Sequence, residues 1–466
     1  MSFIFDIPSK RNPREVEKAF ENGTTYYGLP KDIVFCKSCV ISNQRPNSEY
    51  EFKHTSDTKK RTIGFKNGIC DACNFTSLKK TKINWQKREK KLRELCDKHR
   101  KNDGSYDCIV PGSGGKDSFF TSHMLQHKYG MNPLTITWAP NMYTPWGLKN
   151  MENWVNSGVD NCLTSPNRRV QRLLTRLSLE NLLHPFQAFQ FGQKFLAPRI
   201  AMQHNIELIF YGEAATEYGN PLEETKTPIM DINYFVNDNI NDLYVGGVSH
   251  SDLINKFDLS LSDLKHYTPL TTKEIGNSKI EVHYFGYYEP WHPQGNYYYA
   301  VEHGGFVTAP GRLSGTYNKY SSIDDKMEEF NYYTQGIKFG LGWCSYVAAF
   351  ETRSGDLTRE EAVALTKKYD IEFPETWIND FLEYVSITPK EYPIASEHFE
   401  QPVMTRDYFE ALVDKFRSPH IWKLHNNNWT LRKNCWNNSH LNLKQDDSAT
   451  SWTGNNYFKD NQFIKK

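Results

Sequence analysis

The sequence predicts an α/β protein built on a doubly wound parallel sheet, and three observations predict it. Short apolar runs at 106–110, 133–138, 158–163 and 206–211 alternate with helical patterns reaching Tyr129, passing through Trp154, and covering 167–182 and 191–204. Buried strands alternating with helices are the pattern of a parallel sheet. A glycine-rich turn joins the first run to its helix, and a polar cluster, 212–219, follows the fourth run. Such positions at the carboxyl ends of strands are where doubly wound folds bind ligands. An amino-terminal zinc ribbon and a carboxyl-terminal helical region complete the expected architecture.

Taken in order, residues 1–30 read as a polar arm with a short helical stretch near 15–20, closing at Gly28 and Pro30. Its first residues reach Asp6 and Pro8 before an apolar segment forms, which is not the pattern of a secretory leader. No apolar run approaches the ~20 residues of a spanning helix. The expectation is a cytoplasmic protein without a membrane span.

Residues 31–80 carry two cysteine pairs, Cys36-Lys-Ser-Cys39 and Cys70-Asp-Ala-Cys73, in a region too small to build its own apolar core. A metal would supply the missing stability. The nine cysteines of the chain are an odd number and argue for thiols or metal ligands over disulfides. Four thiolates suit structural Zn²⁺, so Cys36, Cys39, Cys70 and Cys73 are the expected ligands, across a gap longer than the usual ribbon spacing. Cys96, Cys108, Cys162, Cys344 and Cys435 read as packing residues.

Residues 81–104 form a basic helix, with Trp85, Leu92, Leu95, Cys96 and His99 on one stripe of 85–99. Residues 53–101 hold 16 Lys or Arg against 5 Asp or Glu, while the whole chain carries only +1. The near-neutral total removes the global bias of a dedicated nucleic-acid binder. The local excess is either a solvated face or a docking surface for a phosphorylated ligand or acidic partner.

The main domain spans 105–320, with an aromatic segment at 221–300 expected as an insertion over the carboxyl edge of the sheet. Helical patterns return over 321–433, including Thr358 and Glu361 at capping-box spacing. Residues 434–466 are rich in Asn, Ser, Asp and Lys and are expected to be disordered. No internal repeat is present.

The chemistry concentrates in Ser113-Gly-Gly-Lys-Asp-Ser118, between strand and helix. Glycines let backbone N–H groups close on a phosphate while the following helix aims its free amides at the same point. A Walker A loop needs Ser or Thr where Asp117 stands, and the dinucleotide fingerprint needs Gly there. The segment instead resembles the SGGxDS PP-loop of ATP pyrophosphatases, which split ATP between the α- and β-phosphates. That resemblance implies that Ser113, Gly114, Gly115, Lys116, Asp117 and Ser118 hold the pyrophosphate leaving group, that Lys116 and Asp117 act in catalysis, and that Asp117 helps place Mg²⁺. It also places adenine beside the end of the second strand, at Trp138. Glu213 and Glu217, four apart, would reach one Mg²⁺ or the amine nucleophile if their segment is helical, or are otherwise two solvated carboxylates.

The order of these features resembles the N-acetyl sugar amidotransferases over roughly 32–432. The resemblance rests on the two cysteine pairs, Trp85, the Ser113–Ser118 loop, Gly212-Glu213, Glu217-Tyr-Gly219, Ser322-Ile-Asp-Asp-Lys326, Lys338-Phe-Gly340 and the stretch from Arg353 to Glu361. Gly342-Trp-Cys344 departs from the more polar run expected there. The resemblance implies adenylation of an acetamido oxygen on a bacterial surface sugar and displacement of AMP by ammonia to give an acetamidino group. The substrate would be a nucleotide-activated or sialic-acid-like N-acetyl sugar of O-antigen or nonulosonic acid synthesis, with Arg312 and Asp324 as substrate contacts. No glutaminase signature is visible, so glutaminase and synthase-like subunits are implied as ammonia-supplying partners. Two other readings stand beside this one. A PP-loop tRNA thiolase would need a sulfur-carrying cysteine, for which Cys162 is the placed candidate. A non-enzymatic zinc-ribbon adaptor would need only binding.

Overall fold

Five short runs, each flanked by turn-forming residues, make one parallel sheet in the computed structural model of the chain, which describes residues 11–213, 215, 217, 219–276, 278–386 and 403–437. The strands are β1 (Cys108–Pro111), β2 (Pro133–Trp138), β3 (Asp160–Thr164), β4 (Leu208–Tyr211) and β5 (Glu281–Tyr284). Their order across the sheet is β3-β2-β1-β4-β5. Cys108 stands opposite Pro133, Ile109 opposite Ile209, and Leu208 opposite Glu281. The order reverses at β1, so a crevice opens between the carboxyl ends of β1 and β4, the usual ligand position of such sheets.

The fifth strand lies inside the segment expected as an insertion. Its four residues, Glu-Val-His-Tyr, carry no strong alternation and precede an aromatic run, so the local pattern hides it. Pairing with β4 creates it, and residues 228–230 cover its outer edge, with Met230 N–H donating to the Val282 carbonyl at 2.8 Å. The rest of the insertion folds into short helices and a small hairpin, including His250–Phe257 and Tyr244–Val245 with Val248–Ser249.

Before the sheet come α1 (Pro13–Glu21), α2 (Asp71–Thr81) and α3 (Trp85–His99). The apolar stripe of α3 behaves as its spacing predicts: Leu92 and Cys96 are buried with Phe285 and Tyr288. Its lysines are exposed, among them Lys87, Lys90, Lys91 and Lys98. Arg88 is held against the aromatic run, donating to the Tyr287 carbonyl at 2.7 Å with its guanidinium 3.7 Å from the ring centroid.

Both faces of the sheet are covered by α4 (Lys116–His127), α5 (Pro145–Asn156), α6 (Arg168–Leu182) and α7 (Gln187–Gln203). Alternate strand residues point to opposite sides. Ile109, Ile136, Ile209 and Val282 share a core with Leu173, Leu174 and Leu177 of α6 and Phe191 and Phe195 of α7. Cys108, Val110, Leu208 and Phe210 share another with Phe119 and Leu125 of α4 and Trp154 of α5. Helix α7 begins at Gln187, earlier than its apolar pattern indicates, because Gln187 is tied down by tertiary bonds. Its side chain accepts from Gly246 N–H at 2.7 Å and donates to the Glu51 carbonyl at 3.2 Å.

After the aromatic run come α8 (Pro293–Gly304), α9 (Glu328–Phe339), α10 (Trp343–Ser354) and α11 (Arg359–Tyr369). Thr358 and Glu361 form the capping box at the start of α11. The cysteine module packs on these helices rather than standing alone: its four thiols share a core with Tyr346, Ala349, Leu357 and Val363. Cys435 belongs to the same core and is buried beside Asn434, with Trp436 partly buried against it, so the tail expected to be disordered from 434 begins with packed residues, and 438–466 lie outside the described residues. Among the described residues, no helix is long and apolar enough to cross a membrane.

Candidate functional site

Glycine content shapes the turn between β1 and α4. Gly114 has φ +84°, and a Cβ there would sit 2.8 Å from the Asn150 backbone. Gly112 allows Ser118 to close over the turn, since a Cβ would lie 2.2 Å from the Ser118 Cβ. Gly115 caps α4 without a side-chain hydrogen bond, and Ser118 Oγ donates back to the Gly115 carbonyl at 3.0 Å. First-turn amides that no side chain caps form an anion site with the favourable end of the helix dipole.

Two charged residues occupy the first turn of α4. Lys116 Nζ lies 2.5 Å from Asp117 Oδ2 and 5.5 Å from the Trp291 ring centroid. The other Asp117 oxygen accepts from Asn296 Nδ2 at 2.7 Å and Trp291 Nε1 at 3.0 Å. The aromatic run and α8 therefore fix the carboxylate from a distance of more than 170 residues in sequence. Neither Trp291 nor Asn296 sits in a motif that would have announced this.

A cavity of about 550 Å³ opens in front of the loop. Gly112, Ser113, Gly115, Lys116, Asp117 and Ser118 line it, whereas Gly114 is turned against α5. Trp138 lines it from the end of β2. Its indole lies against Gly192 of α7, where a Cβ would fall 2.0 Å from the ring, and its Nε1 is buried without a hydrogen-bond partner. Asp324 also lines the cavity. Burial pushes its carboxyl up, and a hydrogen bond with Ser113 opposes the shift.

The two glutamates after β4 part company. The described residues of this stretch, Gly212, Glu213, Ala215, Glu217 and Gly219, are in bends and turns, and the two carboxylates meet different partners. Glu213 lines the cavity with Oε2 buried and unpartnered. Burial pushes its carboxyl up, opposed by Lys194, while Asp117 adds to the rise. Glu217 lies outside the lining. Burial alone would raise it, but Arg353 at 2.7 Å and Lys79 at 3.4 Å outweigh that and hold it below the ordinary carboxylate value. Arg312 is also outside the lining. It makes a bidentate pair with Glu372 at 2.6 and 2.9 Å, with both side chains about 40% exposed.

A second polar wall belongs to the same cavity. His54 lies 2.7 Å from Glu49 and 2.9 Å from Glu51, Lys60 lies 3.1 Å from Glu49, and His184 lies 3.5 Å from Glu51. Lys338 of α9 completes this wall, donating to the Leu182 carbonyl at 2.9 Å. Burial and the neighbouring Lys60 push its pKa down to about 7. These residues come from three distant parts of the chain, and only Lys338 falls in a stretch that the sequence motifs single out.

The four cysteines meet. Cys36, Cys39, Cys70 and Cys73 are buried, and their sulfurs all lie within 4.8 Å of one another. Cys36 Sγ accepts from Ser38 N–H at 3.4 Å and Cys70 N–H at 3.3 Å, the local geometry of a metal knuckle. Four soft donors converging in a closed site fit tetrahedral zinc. Arg353 Nη1 lies 3.9 Å from Cys39 Sγ and supplies positive charge beside the thiols.

Comparison with known proteins bears on the carboxyl-terminal part. The family model "LPS biosynthesis protein WbpG-like, C-terminal domain" matches residues 314–435, which hold Asp324, Lys338 and Arg353. An uncharacterized protein of Methanocaldococcus jannaschii is 36% identical over 83 residues, 18% of this chain and 29% of that protein. The chain thus spans less than a third of the length of that curated relative. Through residues 314–435, the chain is similar to the WbpG-like proteins of lipopolysaccharide biosynthesis, which supports a role in sugar or lipopolysaccharide synthesis.

Proposed function

We propose that the chain is an ATP-dependent, AMP-forming amidotransferase that converts an acetamido group of a bacterial surface sugar precursor to an acetamidino group. The observation that carries this reading is the Ser113–Ser118 loop. It matches the PP-loop letter for letter, stands between β1 and α4 at the reversal of strand order, and faces a cavity of about 550 Å³. The WbpG-like match supplies the context of surface-sugar synthesis.

In this reading, the loop amides, Ser113, Lys116 and Ser118 hold the β- and γ-phosphates, and adenine lies beside Trp138. Asp117 and Glu213 are oxygen donors of the kind Mg²⁺ takes, and the unpartnered Glu213 oxygen fits that role. When bound, Mg²⁺ neutralises phosphate charge. An amide is a poor electrophile, and adenylating its oxygen creates a leaving group that ammonia displaces. The chain contributes position, charge neutralisation and exclusion of water. The second wall, with His54, His184, Glu51 and Lys338, receives the sugar. Ammonia comes from glutaminase and synthase-like partner subunits, because free ammonia is mostly ammonium at neutral pH.

Cys162, the sulfur carrier a thiolase would need, lies on edge strand β3 outside the cavity lining, which favours the amidotransferase over the tRNA thiolase. The test supplies ATP, Mg²⁺, concentrated ammonium salt and a panel of nucleotide-activated and sialic-acid-like N-acetyl sugars, and follows products by mass spectrometry and phosphorus NMR. The expected products are AMP, pyrophosphate and a sugar about 1 Da lighter, since NH replaces O. Release of ADP and inorganic phosphate, or thiolation of tRNA from a sulfur donor, refutes the proposal.

A further inference from the structure

Lys194 is a cation at the crevice between β1 and β4 that no carboxylate of the described residues meets at ion-pair distance. It sits on α7 two residues past Gly192, the glycine that lets the helix press on Trp138. Its ammonium is 5.0 Å from the Tyr211 ring centroid at the end of β4 and 5.9 Å from that of Tyr234, within cation–π range. The carboxylate that acts on it most is Glu213, whose Oε2 is itself buried without a partner. Glu213 in turn feels Asp117 and Lys116 next. Gly212 places this strand end against the start of α4: a Cβ there would lie 2.8 Å from the Asp117 carbonyl oxygen.

Lys194 is thus bracketed by the wall that carries Trp138 and the wall that carries Lys116, Asp117 and Glu213. Lys116 is already committed to Asp117 at 2.5 Å. A half-buried ammonium without an ion pair and a buried carboxylate oxygen without a partner line one cavity, and the buried oxygen is costly unless a ligand completes it.

We propose that Lys194 is a catalytic residue that binds the nonbridging oxygens of the α-phosphoryl group of ATP and keeps hold of AMP as it leaves. This rests on the adenylation reading above. With pyrophosphate on the loop and adenine at Trp138, the α-phosphorus falls between them, in the cavity that Lys194 lines. In the first step the amide oxygen bonds to the α-phosphorus, the α–β bridging bond breaks, and its electron pair leaves with pyrophosphate. In the second, the ammonia lone pair bonds to the acetamido carbon and the carbon–oxygen bond breaks. AMP departs with the former amide oxygen, the amidinium keeps three N–H protons, and the fourth ends on pyrophosphate or solvent. Charge on the α-phosphoryl oxygens is present in both steps, and an ammonium held beside them stabilises both.

The test compares the wild-type chain with Lys194→Met and Lys194→Arg, using AMP and inorganic pyrophosphate as separate calorimetric probes and AMP release from ATP as the rate. Lys194→Met is expected to weaken AMP about ten- to hundredfold, the range for a lost hydrogen bond to a charged group, and to leave pyrophosphate within twofold. Its kcat falls more than its KM for ATP rises, and Lys194→Arg recovers most of the loss. AMP affinity and kcat equal to wild type in Lys194→Met overturn the assignment. Equal weakening of both probes overturns it too, because that is the signature of a residue that merely positions Glu213. A wild-type chain that yields ADP, or binds neither probe, overturns the adenylation reading itself and this assignment with it.

Discussion

Arg353 Nε donates to Glu217 Oε2 at 2.7 Å, with both side chains under 5% exposed, and this pair joins three parts of the molecule. Glu217 lies in the turns after β4, Arg353 near the end of α10, and the same guanidinium reaches Cys39 Sγ at 3.9 Å. Arg45 donates to the Glu217 carbonyl at 2.6 Å, and Lys79 of α2 lies 3.4 Å from the carboxylate. One carboxylate thus ties the cysteine module, the strand-end segment that carries Glu213, and the carboxyl-terminal helices.

Arg353→Met leaves Glu217 buried beside weaker partners. Removing one member of a buried pair costs about 3–5 kcal/mol. Urea unfolding is expected to show a loss of that order for Arg353→Met and a smaller one for the double variant Arg353→Met/Glu217→Leu, which removes both charges. A single variant as stable as wild type would show that the pair contributes nothing.

One zinc per chain is expected on metal analysis, with the four thiols protected from modification until a chelator is added. Because Tyr346, Ala349 and Leu357 share the cysteine core, removing the metal or making Cys70→Ser should lower the melting temperature by roughly 5–10 °C. The loss should extend to hydrogen-exchange protection in α10 and α11. Absence of stoichiometric zinc together with four freely titratable thiols ends this account.

Ser113 and Asp117 face the cavity rather than a core. Asp117→Asn is expected to lower the rate of ATP cleavage about 10²–10³-fold, the effect of removing one preorganised group. It should unfold within about 2 °C of wild type, since a one-atom exchange leaves the core packing alone. Ser113→Ala should have a smaller effect in the same direction. Unchanged turnover in both, measured by pyrophosphate release, refutes the placement of the leaving group.

Lys338 makes stability depend on pH. It faces Lys60, Glu51 and His184, and its folded pKa of about 7 lies far below the ordinary lysine value. Between pH 7 and about 10 the unfolded chain holds the proton and the folded chain does not, so this residue makes stability rise with pH. The slope for one proton is at most about 1.4 kcal/mol per pH step. Lys338→Met should flatten the stability profile above pH 7, and a profile identical to wild type would count against a neutral buried amine.

Local chemistry was legible without a structure. The strands β1 and β2, the span of α3 from Trp85 to His99 and the capping box of Thr358 and Glu361 follow from periodicity and capping, which act over a few residues. The cysteine pairs announced a closed donor set for the same reason, because each CxxC knuckle is a local turn. The place of the Ser113–Ser118 stretch between a strand and a helix was legible for the same reason, and it joins β1 to α4.

Tertiary structure decided what those pieces face. Strand β5 exists through pairing with β4, and its own four residues carry too weak an alternation to announce it. Glu213 and Glu217 have the same chemistry and lie four residues apart, yet one opens on the cavity and the other is buried against Arg353, because different distant residues meet them. Arg312, a substrate candidate by sequence, is occupied by Glu372 sixty residues on. Lys194, Trp291 and Asn296 carry no motif, and their surroundings are set by neighbours distant in sequence, Tyr211 for the first and Asp117 for the other two. A side chain's charge and shape are written at its own position, but whether it meets a partner, a ligand or water is settled by contacts that the chain makes only when it closes on itself.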